Sequence, residues 1–161
     1  MMQQQRQEDF LAMLHEQHMK VQQEIMQMQN MPMNEHDRKK DVWRQFKHDI
    51  TAHMDGEEKY WYPVLERNQN SRMDAQMAME EHKAAREVFK DLDDTDMDDS
   101  RWMARLMVLQ ELLTSHIKEE EEKLFPETRQ GIGDRQTMEI MNDFKKEQEH
   151  HRGILDRIMG S

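Results

Sequence analysis

Two stretches of the chain, 53–63 and 116–126, pair a histidine with a glutamate at the spacing of one helical turn. Each begins with histidine, carries two consecutive glutamates four and five residues later, and ends with an aromatic residue and proline. Imidazole nitrogens and carboxylate oxygens are suitable ligands for iron, zinc and manganese. Because residues four apart share a helix face, each pair can offer a nitrogen and an oxygen to the same ion. The two copies therefore predict two walls of one metal site.

A lone histidine precedes each of these stretches and extends the repeat. His18 and His82 are 64 residues apart, and the pair Gln17-His18 corresponds to the pair Glu81-His82. Both histidines alternate with hydrophobic residues at spacings of three and four, which is typical of the face that a helix buries in a bundle. His15 lies one residue off this face, so the repeat selects His18 as the equivalent of His82.

Four helices with short connections would bring the repeated positions into one core. The predicted metal ligands are His18, His53, Glu57, His82, His116 and Glu120. Buried polar groups without partners are costly, and buried carboxylates are more so, which metal coordination would offset. The same residues leave open a bundle that holds zinc, or no metal, for structure.

The composition predicts an all-helical protein around these residues. Only 35% of the residues are hydrophobic and the mean hydropathy is -1.15, yet the apolar residues keep a helical period. The chain has only 3 Pro and 5 Gly, which argues against disorder. Gln, Glu, Met, Lys and Arg are abundant, and all of them favour helices.

We expect 1–161 to form a single domain, an up-down-up-down four-helix bundle with an appended fifth helix. The predicted helices are about 8–30, 37–67, 72–92, 99–128 and 135–159. The first four form a core of about 8–128, and the extra helix, about 134–159, packs on its outside. Pro63 is expected to bend or shorten the end of the second helix. Ser71 and Asp74 match a capping box at the start of the third.

The charge and composition exclude several classes of function. A net charge of -11 with a pI near 5.3 argues against nucleic acid and anionic membranes as partners. No apolar run is long enough to span a bilayer, and the first residues lack a signal-peptide core. With no cysteine, disulfides and iron–sulfur clusters are excluded. We therefore expect a soluble, cytoplasmic protein, whose oligomeric state is left open.

Two other polar segments are predicted to be solvated. The acidic stretch 91–100 lacks the glycine and the final glutamate that a calcium loop needs, so its last acids should instead favour the following helix N-terminus. His150 and His151 are adjacent, and neighbouring side chains on a helix point about 100° apart. This pair is therefore not expected to chelate a metal by itself.

The ordered set of six ligands resembles the hemerythrin-like, or HHE cation-binding, domains. Their pattern is histidine on the first helix, His-x3-Glu on the second, histidine on the third and His-x3-Glu on the fourth, and the resemblance spans about 10–126. It implies a centre of two non-haem iron ions (Fe2+/Fe3+), bridged by Glu57, Glu120 and an oxo or hydroxo group. It also implies that the four histidines are terminal ligands, and that dioxygen or another small diatomic binds there.

The chain departs from the oxygen-carrier hemerythrins at two points. Their second histidine on the third helix is replaced by Arg86, and their His-x4-Asp pairing would place the last ligand at Glu121 instead of Glu120. These differences favour oxygen, iron or nitric-oxide sensing over storage. They leave open a di-iron oxidase or peroxidase, although binding without catalysis is the preferred reading. They also leave open whether His15 or Glu121 coordinates.

Overall fold

The protein is built from helices in a computed structural model that describes residues 2–32 and 34–159, with side chains except at 2–5, 155, 158 and 159. The elements are α1 Met2–Asn30, α2 His36–Gly56, α3 Tyr62–Arg67, α4 Arg72–Asp93, α5 Ser100–Glu119, α6 Phe125–Gly131 and α7 Asp134–Met159. Two π-helical turns, Glu57–Trp61 and Glu120–Leu124, join α2 to α3 and α5 to α6. No strand occurs within the described residues, which confirms the all-helical prediction.

The five predicted helices are present, and the second continues through a π-helical turn and α3 to its predicted end at Arg67. The backbone N–H of Tyr62 donates to the carbonyl of Glu57, five residues back, as in a π-helix. Pro63 then occupies the first turn of α3, where a missing N–H is tolerated. The chain therefore stays helical to Arg67, the predicted end of the second helix, and a π-helical turn precedes Pro63 in place of a shortened last turn.

The hydrophobic core has two parts, and a polar layer lies between them along each of four helical segments. One part includes Trp43, Phe46 and Trp102, and the other includes Phe10 and Trp61. On α1 and α4 the buried histidines fall between residues of the two parts, whereas α2 and α5 carry only residues of the first part and the second part begins in the π-helical turns that follow them. Apolar side chains therefore cover the polar layer on both sides.

The fifth helical segment, α7, packs against α1 and α2, as expected for a helix appended to the outside of the core. Phe144 of α7 is fully buried and contacts the Phe10 ring at 6.2 Å between centroids. Gly56 makes room for it, since a Cβ at Gly56 would lie 2.8 Å from the Phe144 ring. The appended helix is therefore fitted closely to the end of α2.

Two helix starts differ in how they are capped. Ser71 donates its hydroxyl to the carbonyl of Leu65 and makes no side-chain cap for α4, so the predicted capping box is absent there. Asp99 accepts from the backbone N–H of Arg101 and caps α5, as predicted for the acidic connection.

Among the described helices, none combines the length and apolar character that crossing a bilayer requires.

Candidate metal centre

All six predicted ligands are buried and lie together in the polar layer. They come from α1, the end of α2, α4, the end of α5 and the first residue of each π-helical turn. None exposes more than 5% of its surface, and Glu57 exposes none. The structure therefore assembles the complete set that the repeat predicted.

Each candidate histidine turns its Nε2 atom toward the two central carboxylates. His18 and His53 reach Glu120 Oε1 and Glu57 Oε1, respectively, at 3.2 Å. His82 Nε2 lies 3.3 Å from Glu57 Oε1, and His116 Nε2 lies 2.7 Å from a Glu120 oxygen. The four histidines thus fall into two groups of two, and Glu57 and Glu120 belong to both groups.

We name these groups the His18–His53 position and the His82–His116 position, and both include Glu57 and Glu120. Within each position, one donor atom from every residue lies within 4.8 Å of the others. Such spacing could hold a metal ion. The two shared carboxylates could contribute to both positions, as expected for a pair of bridged cations.

The other ring nitrogen, Nδ1, of each histidine faces an oxygen outside the positions. His53 Nδ1 lies 2.7 Å from Gln17 Oε1, and His82 Nδ1 lies 3.0 Å from Glu58 Oε2. The nearest acidic oxygens to the other two belong to Glu81, 3.5 Å from His116 Nδ1, and Glu121, 3.7 Å from His18 Nδ1. The hydrogen-bonded partners of His53 and His82 fix the tautomer of these two rings and leave Nε2 free to coordinate, whereas Nδ1 of His18 and Nδ1 of His116 make no hydrogen bond.

Several donor atoms at the centre make no hydrogen bond, which tests whether a cation fits. They include both ring nitrogens of His18, His53 Nε2, Glu57 Oε2 and Glu120 Oε1. The short distances among these atoms do not have hydrogen-bond alignment. Buried, unpaired polar atoms are costly, and a cation would satisfy them together. The donor set therefore fits a metal ion.

Burial and neighbouring charges shift the pKa values of the two carboxylates in opposite directions. Burial, together with the nearby Glu120 charge, raises the pKa of Glu57 well above its ordinary value. Burial alone would also raise the pKa of Glu120, but His116 beside it holds that pKa well below its ordinary range. Although burial opposes it, Glu120 raises the pKa of His116 to about 10. Protons thus occupy part of this site in metal-free protein.

The Tyr62 hydroxyl lies among the ligands and was missed as a site residue. It lies 3.1 Å from His82 Nε2, donates to Glu57 Oε1 at 3.2 Å and also donates to Glu120 Oε2. In the repeat its counterpart is Phe125, whose ring stacks on His18. The repeated sequence pattern specifies only an aromatic residue before proline. It therefore did not indicate that Tyr62 brings a hydroxyl group to the ligands.

The residues that depart from the carrier pattern lie around the site. Glu121 pairs with His15, whose side chain is 52% exposed, and neither belongs to the two positions. Arg86 contacts Glu58 Oε2 at 2.8 Å and Asp55 Oδ1 at 2.7 Å. Arg86 therefore holds the outer partner of His82 where carriers place another histidine.

The two adjacent histidines of α7 behave differently. His150 is exposed, as predicted. His151 instead reaches Asp55 Oδ2 at 3.1 Å and Glu147 Oε1 at 3.3 Å, so the expected solvated position is wrong for this residue. Lys59 pairs with the same Glu147 oxygen, which makes this cluster an ion-pair network that joins α7 to the end of α2 and to the π-helical turn after it.

Comparison with known proteins agrees with this geometry. The profile of the hemerythrin HHE cation binding domain matches residues 9–128, about three quarters of the chain. The match contains all six predicted ligands and ends before α7. No curated protein and no solved structure shows a significant similarity. The chain therefore belongs to the hemerythrin HHE cation-binding domain family.

Proposed function

We propose that this protein holds two non-haem iron ions in an up-down-up-down bundle and binds dioxygen or a related diatomic, for oxygen or iron binding or sensing. One observation carries the proposal: four Nε2 atoms converge on two shared, buried carboxylates while the Nδ1 atoms face outer oxygens. Iron in these positions would supply a redox centre able to take a small ligand. Imidazole and carboxylate donors suit iron.

Each ligand has a defined role in this proposal. His18 and His53 serve one ion and His82 and His116 serve the other, while Glu57 and Glu120 contribute to both. The apolar layers on either side exclude bulk water from the centre, which strengthens the electrostatic interactions within it. No bulky polar substrate is implied by such a buried site.

A di-iron oxidase or peroxidase is a second candidate, and Tyr62 favours it. Its O–H group donates to Glu57 and Glu120 and lies beside His82 Nε2. Burial and the charges of these carboxylates raise the pKa of Tyr62 well above its ordinary value, so the phenol keeps its proton at neutral pH. A retained proton at this atom could be delivered to a reduced oxygen species, as enzymatic reduction requires.

Anaerobic titration of metal-free protein with Fe(II), followed by air, tests the proposal. We expect two iron ions per chain and new visible absorption on exposure to air. Absorption that reverses when oxygen is removed supports diatomic binding, whereas steady consumption of added peroxide supports the enzyme. Less than one iron per chain with no absorption would overturn both candidates in favour of a zinc-binding or metal-free bundle.

The histidine variants give a matched comparison in the same experiment. His53→Ala and His116→Ala should each lose iron stoichiometry and the visible bands, because each removes one of the central Nε2 atoms. His150→Ala is the control, since His150 is exposed on α7. A structural role alone would change the melting temperature of the first two variants without removing a ligand-binding signal.

A further inference from the structure

The four outer partners of the histidines are chemically unequal. Three of them are carboxylates, from Glu58, Glu81 and Glu121. The fourth, which faces His53, is the neutral amide of Gln17. Gln17 corresponds in the repeat to Glu81, the outer partner of His116. At this repeated position, one half of the site therefore has an amide where the other half has a carboxylate.

A residue of α7 holds the Gln17 amide in place. Gln17 Nε2 donates to Gln148 Oε1 at 3.0 Å, and Gln148 Nε2 donates to Gln17 Oε1 at 2.8 Å. This reciprocal pair leaves Gln17 Oε1 facing His53 Nδ1, so His53 can donate from Nδ1 and coordinate through Nε2. Gln148 lies outside the family match, which ends at residue 128.

The difference bears on how strongly each position can bind a cation. A carboxylate that accepts from an imidazole N–H raises the basicity of the ligand, and charge-assisted hydrogen bonds are stronger than neutral ones. In the His82–His116 position, Glu58 lies 3.0 Å from His82 Nδ1 in a hydrogen bond, and Glu81 lies 3.5 Å from His116 Nδ1, which makes no hydrogen bond. The His18–His53 position has the Gln17 amide and Glu121, which stands 3.7 Å away and also pairs with His15.

We infer that the two metal positions are unequal: the His82–His116 position fills first, and Gln17, oriented by Gln148, sets the weaker affinity of the His18–His53 position. The inference rests on the proposed metal-binding function. Gln17 and Gln148 are positioning residues, because they act on the metal only through His53. The appended helix thereby contributes to a site whose ligands all lie outside it.

Anaerobic calorimetric titration of the full-length, metal-free chain with Co(II) measures both affinities. We expect two binding steps whose dissociation constants differ about tenfold or more, the usual scale of outer-partner effects. Gln17→Glu should strengthen the second step and leave the first unchanged, since it supplies the missing carboxylate. Glu81→Gln should weaken the first step. Gln23→Glu is the control, because it adds the same charge at an exposed place on α1.

Variants of Gln148 test the contribution of α7. Gln148→Ala should weaken the second Co(II) step about tenfold and speed the solvent exchange of one hyperfine-shifted imidazole N–H signal in the NMR spectrum. Gln148→Glu should largely restore both, because its carboxylate still accepts from Gln17 Nε2. Gln136→Ala is the matched control on an exposed part of α7 and should change neither signal.

The outcomes separate this inference from the proposed function. Two Co(II) ions bound with equal affinity, or a Gln17→Glu variant that binds like the parent chain, would overturn the inference and leave the metal site intact. A Gln148→Ala variant with an unchanged second step and an unchanged N–H signal would remove α7 from the site. Failure to bind any Co(II) would overturn the proposed metal-binding function and the inference with it.

Discussion

Tyr62 makes the two halves of the buried centre chemically different at the level of one atom. Its hydroxyl lies beside the His82–His116 position, whereas the repeated place in the other half carries Phe125 against His18. Tyr62 is only 1% exposed, so this O–H group is shielded from bulk water. The residue therefore combines a packing role, common to both halves, with a hydrogen-bonding role found in one.

Tyr62→Phe should keep the fold and change the chemistry of the centre. The ring still fills its space, while the lost hydrogen bonds to buried carboxylates should lower the free energy of unfolding by about 1–3 kcal/mol. The visible spectrum of the air-exposed iron form should also change, because the hydroxyl lies among the ligands. Tyr60→Phe is the control, since the Tyr60 hydroxyl bonds to Glu147 on α7. An unchanged spectrum would remove Tyr62 from the site.

The neighbouring acids Glu120 and Glu121 should have unequal effects on metal binding. Glu120 is 1% exposed and belongs to both positions, whereas the Glu121 side chain is 27% exposed and faces His18 Nδ1. Glu120→Gln should abolish binding of at least one iron. Glu121→Gln should retain both with about 10–100-fold weaker affinity at most. The reverse order in iron titrations would make Glu121 the ligand.

At the scale of the helices, the docking of α7 depends on a glycine at the end of α2. Gly56→Ala should lower the free energy of unfolding by about 1–3 kcal/mol, because the added methyl group overpacks against the buried Phe144 ring. Thermal melting measures the loss. Gly153→Ala is the control on α7, where an added Cβ meets nothing within 4 Å. That change should stabilise the helix by about 0.5–1 kcal/mol.

The packing of α1 on α2 buries two carboxyl groups that titrate in opposite directions. Burial and the nearby Asp49 raise the pKa of Glu24 to about 8. Burial opposes ionisation of Asp49 as well, but Glu24 and Lys20 hold the pKa of Asp49 below its ordinary value. At neutral pH the folded protein therefore keeps a proton on Glu24 that the unfolded chain releases.

This proton predicts how stability depends on pH. Between pH 4.5 and about 8, the folded state binds more protons than the unfolded state, so the contribution of Glu24 is full at the acidic end and is lost as pH rises. Glu24→Gln should flatten that part of the pH profile in denaturant unfolding. Glu16→Gln is the exposed control on α1. A variant with the parent slope would show that Glu24 does not carry the effect.

At the scale of the whole molecule, a layer of unpaired polar atoms divides the hydrophobic core. This arrangement should make the stability of the protein depend on metal. Iron at one hundred times its dissociation constant should raise the free energy of unfolding by about 2.7 kcal/mol per site. Thermal melting with and without a chelator measures the effect. Equal melting temperatures would mean that the layer is satisfied without a cation.

The spacing of residues along the chain was sufficient to predict the helices and to indicate six candidate ligands that lie together in the core. Helical periodicity is a local property, so the face on which His53 and Glu57 lie follows from their separation by four residues. The duplicated pattern then indicated which histidines share the core and selected His18 over His15, while the heptad spacing favoured Glu120 over Glu121. All six predicted ligands lie together in the structure.

Only the tertiary structure decided which side chains surround those six. The Tyr62 hydroxyl reaches the ligands after a π-helical turn, and the contact between Gln17 of α1 and Gln148 of α7 joins residues 131 apart in sequence. His151 meets Asp55 in the same way, across α7 and α2. Periodicity along one helix specifies which face is buried, but not which partner covers it. That choice depends on how separate helices pack, and no local spacing encodes it.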